Sequence, residues 1–194
     1  MKTIIAVLTS IVSLASVVNA SVTITNFDVA EAIAADSPWS WTQVSKTLTI
    51  TSNSDFGSLY PEFPSTVNIL DNTKLKITLA SLITSNPGGG FVVTLQGGVG
   101  PNDIATAEFT WNSFTSGQPG AAVENEAILL TFGLFNPANV SGWSIADGGN
   151  GGTGNLSGAS FVSLQAIPEP STYALIALGG LGLFLAARRR KVQA

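Results

Sequence analysis

The sequence predicts a mainly β protein: an antiparallel β-sandwich of jelly-roll type, flanked by two segments outside the folded domain. Three observations carry this. Apolar residues recur with period two along 21–167, glycine and proline breakers separate those stretches, and each end of the chain is an apolar run flanked by basic residues.

Composition limits the chemistry before any motif is sought. Of 194 residues, 45% are hydrophobic and only 10% charged, against about 25% charged in average soluble domains. The surface must therefore meet water through Ser, Thr, Asn and Gly. There is no histidine and no cysteine, so a Ser-His-Asp triad, a Cys-His pair, an imidazole or thiolate metal site and a disulfide are all excluded.

The first element is residues 1–20. Lys2 is followed by an apolar stretch over 4–18, and small residues lead to Ala20 and Ser21. A positive start, a short apolar centre and a small residue at the junction are the order of a secretory signal peptide, with cleavage between Ala20 and Ser21. A buried N-terminal strand would suit the β-branched content, but it does not explain a charge that comes first and then vanishes until Asp28.

Residues 21–167 are long enough for one domain with a real core and too short for two. Val22 and Ile24, Leu48 and Ile50, then Leu75, Ile77 and Leu79 alternate with polar residues, as half-buried strands do. Phe91, Val93 and Leu95 follow the same rule, and so do Ala105, Ala107, Phe109 and Trp111. A near-continuous apolar run over 127–134 and a last stretch over 161–166 complete the set. Breakers at 86–90, 97–102, 117–120 and 147–158 exclude long helices and central strands there, because glycine costs backbone entropy and proline lacks a donor. Eight or nine short strands so spaced predict a jelly roll. The alanine-rich stretch 27–35 is the exception, read as one or two helical turns. The domain carries eleven acidic residues against three lysines, a net charge of −8, which disfavours nucleic acid as a partner.

The last element, 168–194, opens with Pro168, Glu169 and Pro170. An uncharged run over 171–187 follows, then Arg188, Arg189, Arg190 and Lys191. Seventeen uncharged residues, mostly apolar, suffice for a short transmembrane helix, and the cations after it place its end in the cytoplasm. The two prolines fix φ near −65° and bias Ile167 and Glu169 to extended backbone, which presents one carboxylate on a stiff segment above the membrane. The order Pro-Glu-Pro, glycine-containing apolar helix and arginine cluster, with Tyr173 three residues after Pro170, resembles the PEP-CTERM sorting signal of Gram-negative bacteria. The resemblance implies recognition and cleavage near Pro168, Glu169 and Pro170 by an exosortase in the inner membrane, and delivery of the mature protein to the cell surface or beyond. More loosely, Trp39 and Trp41, 91–95, 109–114 and 142–145 look like the exported domains of other PEP-CTERM proteins and like galactose-binding jelly rolls.

Four tryptophans, Trp39, Trp41, Trp111 and Trp143, together with Tyr60 and Phe63, offer flat faces for a sugar ring. Trp39 and Trp41 are two apart, so on one strand they would share a side and form a carbohydrate platform; filling the core is the competing role. Glu124 and Glu126 are also two apart, yet hydrolytic carboxylates must face each other across the scissile bond, so edge protection suits them better. Glu62 and Glu108 are left as acids that could pair in space. The oxygen-rich stretch 147–155, starting at Asp147, could meet calcium, but its spacing matches no known calcium loop. The sequence therefore predicts an exported structural or adhesive matrix protein, with no catalytic residues, metal or cofactor. A polysaccharide-binding module built on Trp39 and Trp41, with exopolysaccharide as partner, is the alternative.

Overall fold

The computed structural model describes residues 20–35, 39–52, 57–62, 65–70, 72–80, 89–111, 114, 122–147 and 156–169. The signal peptide expected before Ala20, Pro170, the helix expected over 171–187 and the cations Arg188, Arg189, Arg190 and Lys191 lie outside the described residues. Among the described residues no helix is long and apolar enough to cross a membrane. The chain divides into two compact units, 21–167 and one made of 1–20 with 168–194; the architecture below is that of 21–167.

Twelve strands occur among the described residues. They are β1 (Val22–Thr25), β2 (Ile33–Ala35), β3 (Ser40–Val44), β4 (Thr47–Ser52), β5 (Ser58–Pro61) and β6 (Asn72–Leu79), then β7 (Gly90–Gln96), β8 (Ile104–Thr110), β9 (Val123–Ile128), β10 (Leu130–Thr131), β11 (Gly142–Asp147) and β12 (Ser160–Pro168). They form two antiparallel sheets. One runs β3, β4, β12, β6, β9, with β1 joining the end of β12, and the other runs β10, β8, β7, β11, β5, β2. The first and last strands of the β4-to-β12 stretch are thus neighbours, and the chain repeatedly crosses between sheets. With β4, β12, β6 and β9 in one sheet and β5, β11, β7 and β8 in the other, this is the strand order of a jelly roll.

Alternation explains which side of each strand is buried. Leu75, Ile77 and Leu79 on β6 and Phe91, Val93 and Leu95 on β7 are fully buried and belong to one apolar cluster shared by both sheets. Phe91 of β7 meets Phe161 of β12 edge-on at 5.4 Å between ring centroids and stacks on Phe109 of β8 at 5.2 Å. Phe27 lies between Trp143 at 5.4 Å and Phe161 at 5.9 Å, so a loop residue joins the two layers. The sheets also demand close approach at Gly90, where a Cβ would come within 2.2 Å of the Phe109 carbonyl oxygen.

Two expectations need correction, and one apolar run has a mixed burial. The stretch 27–35 is a loop and the short strand β2. Phe27 takes a left-handed φ of 52°, the Asp28 carboxylate accepts from the Ala30 amide at 3.2 Å, and β2 pairs with β5 through Ala34 and Tyr60. Helix propensity is a weak prior, and these tertiary bonds override it. The strand count exceeds eight or nine, because β2, β5 and β10 are too short to show a period. The run 127–134 is not buried throughout: Ile128, Leu130, Phe132 and Leu134 are exposed where the chain passes from the edge of one sheet to the edge of the other.

Candidate functional site

The residues singled out for carbohydrate binding do not form an open platform. Trp39 is only 6% exposed and belongs to the core. Trp41 is half-buried and stands opposite the fully buried Ile50, so it faces the interior. Both indoles therefore share the inner side, as residues two apart do, and pack on the core instead of forming an outward platform. Trp111 and Trp143 are core residues as well, Trp111 tilted against Phe91 and Trp143 edge-on to Phe27.

The acidic pair sits elsewhere and is neutralised in place. Glu124 and Glu126 project from β9, an edge strand, and are more than half exposed. Lys76 lies 3.4 Å from Glu124 and Lys74 3.9 Å from Glu126, while Thr78 donates to Glu124 at 3.4 Å. Glu62 and Glu108 are both exposed. Asp147 ends β11 opposite Phe91, and the oxygen-rich stretch after it lies outside the described residues, as does Phe63. Among the described residues no three acidic side chains come together as a metal would require.

A concavity lies on the outer face of the second sheet. There a groove of about 390 Å³, within the size range of ligand pockets, is lined by Tyr60, Pro61, Thr94, Gln96, Ser141, Gly142, Trp143 and Ser144. Alternation places these side chains. Thr94 stands between the buried Val93 and Leu95 and so points outward, and it is in register with Ser144 on β11 and Thr106 on β8. On β5 the buried Leu59 opposes Ile145, which turns the next residue, Tyr60, outward.

One end of the groove is fixed by polar bonds. The Gln96 side-chain amide donates to the Gly100 carbonyl at 2.7 Å, and the Asp103 carboxylate accepts from the amides of Gly100 and Leu134, each at 2.8 Å. These bonds tie the loop 97–103 to the turn 133–134. The Leu134 amide first, then that of Gly100, holds the Asp103 carboxyl below its ordinary value, against a smaller opposing effect of burial. Gly133 adopts a φ of 61°, and a Cβ there would come within 2.5 Å of the Asn102 carbonyl, so the turn needs glycine.

A smaller crevice of about 70 Å³ shares Pro61, Gly142 and Trp143 with the groove and has room for one or two waters. Glu31 lines it, and its carboxylate accepts a hydrogen bond from the Thr25 hydroxyl. Of the groove residues, sequence reading had singled out Tyr60 and Trp143. Thr94, Gln96, Ser141 and Ser144 carried no signal, since hydroxyl and amide residues on outward positions suit any solvated strand.

The sorting segment begins where the fold ends. β12 closes at Pro168, and Glu169 is exposed. Residues 166–191 match the PEP-CTERM protein-sorting motif, which bears out the resemblance and spans Pro168, Glu169, Pro170 and the four cations. The motif supports sorting by exosortase, a membrane enzyme, with export to the cell surface or the extracellular space. No curated protein and no solved structure matches the chain.

Proposed function

We propose that residues 21–167 are the cargo of this sorting route: an exported surface or matrix protein with a structural or adhesive role and no catalysis of its own. One observation carries the reading. A two-sheet domain with its own buried core runs directly, at the end of β12, into a matched PEP-CTERM segment. In this reading the signal peptide is removed between Ala20 and Ser21, the helix at 171–187 holds the precursor in the inner membrane, and exosortase acts near Pro168, Glu169 and Pro170. The cations at 188–191 stop transfer and keep the end of the chain in the cytoplasm. A domain without cysteine, whose strands are rich in threonine, suits this reading, since nothing in it depends on a reducing compartment.

The test is the intact mass of the protein recovered from the surface fraction of its host, compared with cells lacking exosortase. The expected species begins at Ser21 and ends near Pro168 to Pro170, while exosortase-deficient cells retain the basic tail in the inner membrane. A tail present in both strains would make this a permanently anchored domain and overturn the processing step. Replacing Glu169 by Gln should reproduce the exosortase-deficient result if the carboxylate is what the enzyme reads.

A further inference from the structure

We infer that the groove on the outer face of the second sheet binds an uncharged polysaccharide, with Tyr60 as the stacking surface and Thr94 and Ser144 as hydrogen-bonding partners. The inference deepens the adhesive reading of the domain and rests on it. It also relocates glycan recognition from Trp39 and Trp41 to another sheet.

The chemistry of the lining selects the ligand class. Thr94 and Ser144 contribute hydroxyls, each able to donate and accept, while the Ser141 hydroxyl donates to the Gln96 backbone carbonyl and the Gln96 amide nitrogen to Gly100, leaving their oxygens as acceptors; sugar hydroxyls have the same dual character. Tyr60 and Pro61 supply carbon surface suited to the C–H face of a pyranose. None of the described lining residues is charged, and the domain around them carries a net charge of −8. An anionic polymer would meet repulsion without a cation to offset it, and a cation would find no carboxylate among those residues.

Geometry argues against a peptide. The floor of the groove is sheet whose backbone is already paired, β7 with β11 and β11 with β5, so strand addition has no free edge there. What the sheet face does offer is a row of hydroxyls in register, Thr94 and Ser144 lining the groove and Thr106 continuing the row on the next strand. Adjacent strands lie about 4.8 Å apart, a step comparable with one sugar residue of a linear chain. Trp143, a core residue, also lines the groove, so occupancy is readable in its fluorescence.

The experiment uses the full chain in detergent micelles, titrated with dextran, a soluble β-1,3-glucan, a galactomannan and, as a charged comparison, alginate. At least one neutral polymer is expected to change tryptophan fluorescence saturably, with alginate at least tenfold weaker. Tyr60→Ala should weaken binding by tenfold or more. Because that variant removes a large side chain from a short strand, Thr94→Val and Ser144→Ala, which keep the shape of the face, provide a second test and should each weaken binding several-fold with an unchanged melting temperature. No response to any neutral polymer overturns the inference, as does binding unaltered by the two conservative variants, or binding in which alginate equals the neutral chains. Each of these failures would leave surface sorting untouched, because the mass measurement reads sorting independently.

Discussion

The outer faces of the two sheets are built differently although their inner faces are alike. On the first sheet, Lys74 and Lys76 of β6 meet Glu126 and Glu124 of β9, and threonines cover the remainder of β4. On the second, Thr94, Thr106, Ser144, Tyr60 and Gln96 form a neutral field, with Glu108 outside the groove. The charges stand at the edge of their sheet, where β9 exposes an unpaired strand side, and charge on an edge discourages pairing with other chains. The neutral field stands over paired interior strands, where no such protection is needed. Charge is therefore placed where the backbone is vulnerable, and hydroxyls where a surface is free to recognise something.

The largest effect should come from breaking what the two sheets share. Phe91→Ala removes a fully buried ring that contacts both layers, and a loss of about 3–5 kcal/mol is expected in urea denaturation. Both faces would fail together, since neither sheet has another core.

Asp103→Asn should have the next effect, confined to the end of the neutral face. The folded carboxyl titrates below its ordinary value, so the ionised form is the one the loop holds. Its contribution is complete above the ordinary carboxylate range and is lost as pH falls through the lower folded value. Urea curves of wild type and variant should thus differ at neutral pH and converge in strong acid. Amide exchange at Gly100 and Leu134 should accelerate in the variant at neutral pH.

Lys76→Ala probes the charged face. Its partner Glu124 is more than half exposed, so a stability change of less than about 1 kcal/mol is expected, shrinking further in high salt. A larger, salt-insensitive loss would mean that the pair positions β9 rather than decorating it. Last, Thr94→Val should leave stability within about 0.5 kcal/mol while lowering glycan affinity. That separation of stability from binding is what distinguishes a recognition face from a solvated one.

Legibility in the sequence followed the length of each pattern. β4, β6, β7 and β8 were readable because apolar residues alternate along them over several positions. β2 could not be read, because Ile33–Ala35 is three residues long and locally favours a helix; its pairing with β5 is a contact between segments far apart in the chain. Trp39 and Trp41 were readable as two residues sharing one side of the chain, with core filling and a sugar platform as the competing roles, and only the packed sheets decided for the core. The exposed row Ile128, Leu130, Phe132 and Leu134 shows the same limit: an apolar run reports composition, and its burial depends on which sheet edge it crosses.

The sequence by itself determined the sorting segment, the poverty of catalytic side chains, the net charge and the two-sheet class. Each of these is local or additive: a motif is read along the chain, charge is summed, and alternation needs only a few neighbours. Tertiary structure alone decided that Tyr60, Thr94 and Ser144 share a groove and that Glu124 and Glu126 are held by lysines. Those residues come from β5, β7 and β11, and from β6 and β9, strands made neighbours by the crossover of a jelly roll. Register across non-adjacent strands is set by how the whole core packs, and no short stretch of sequence contains it.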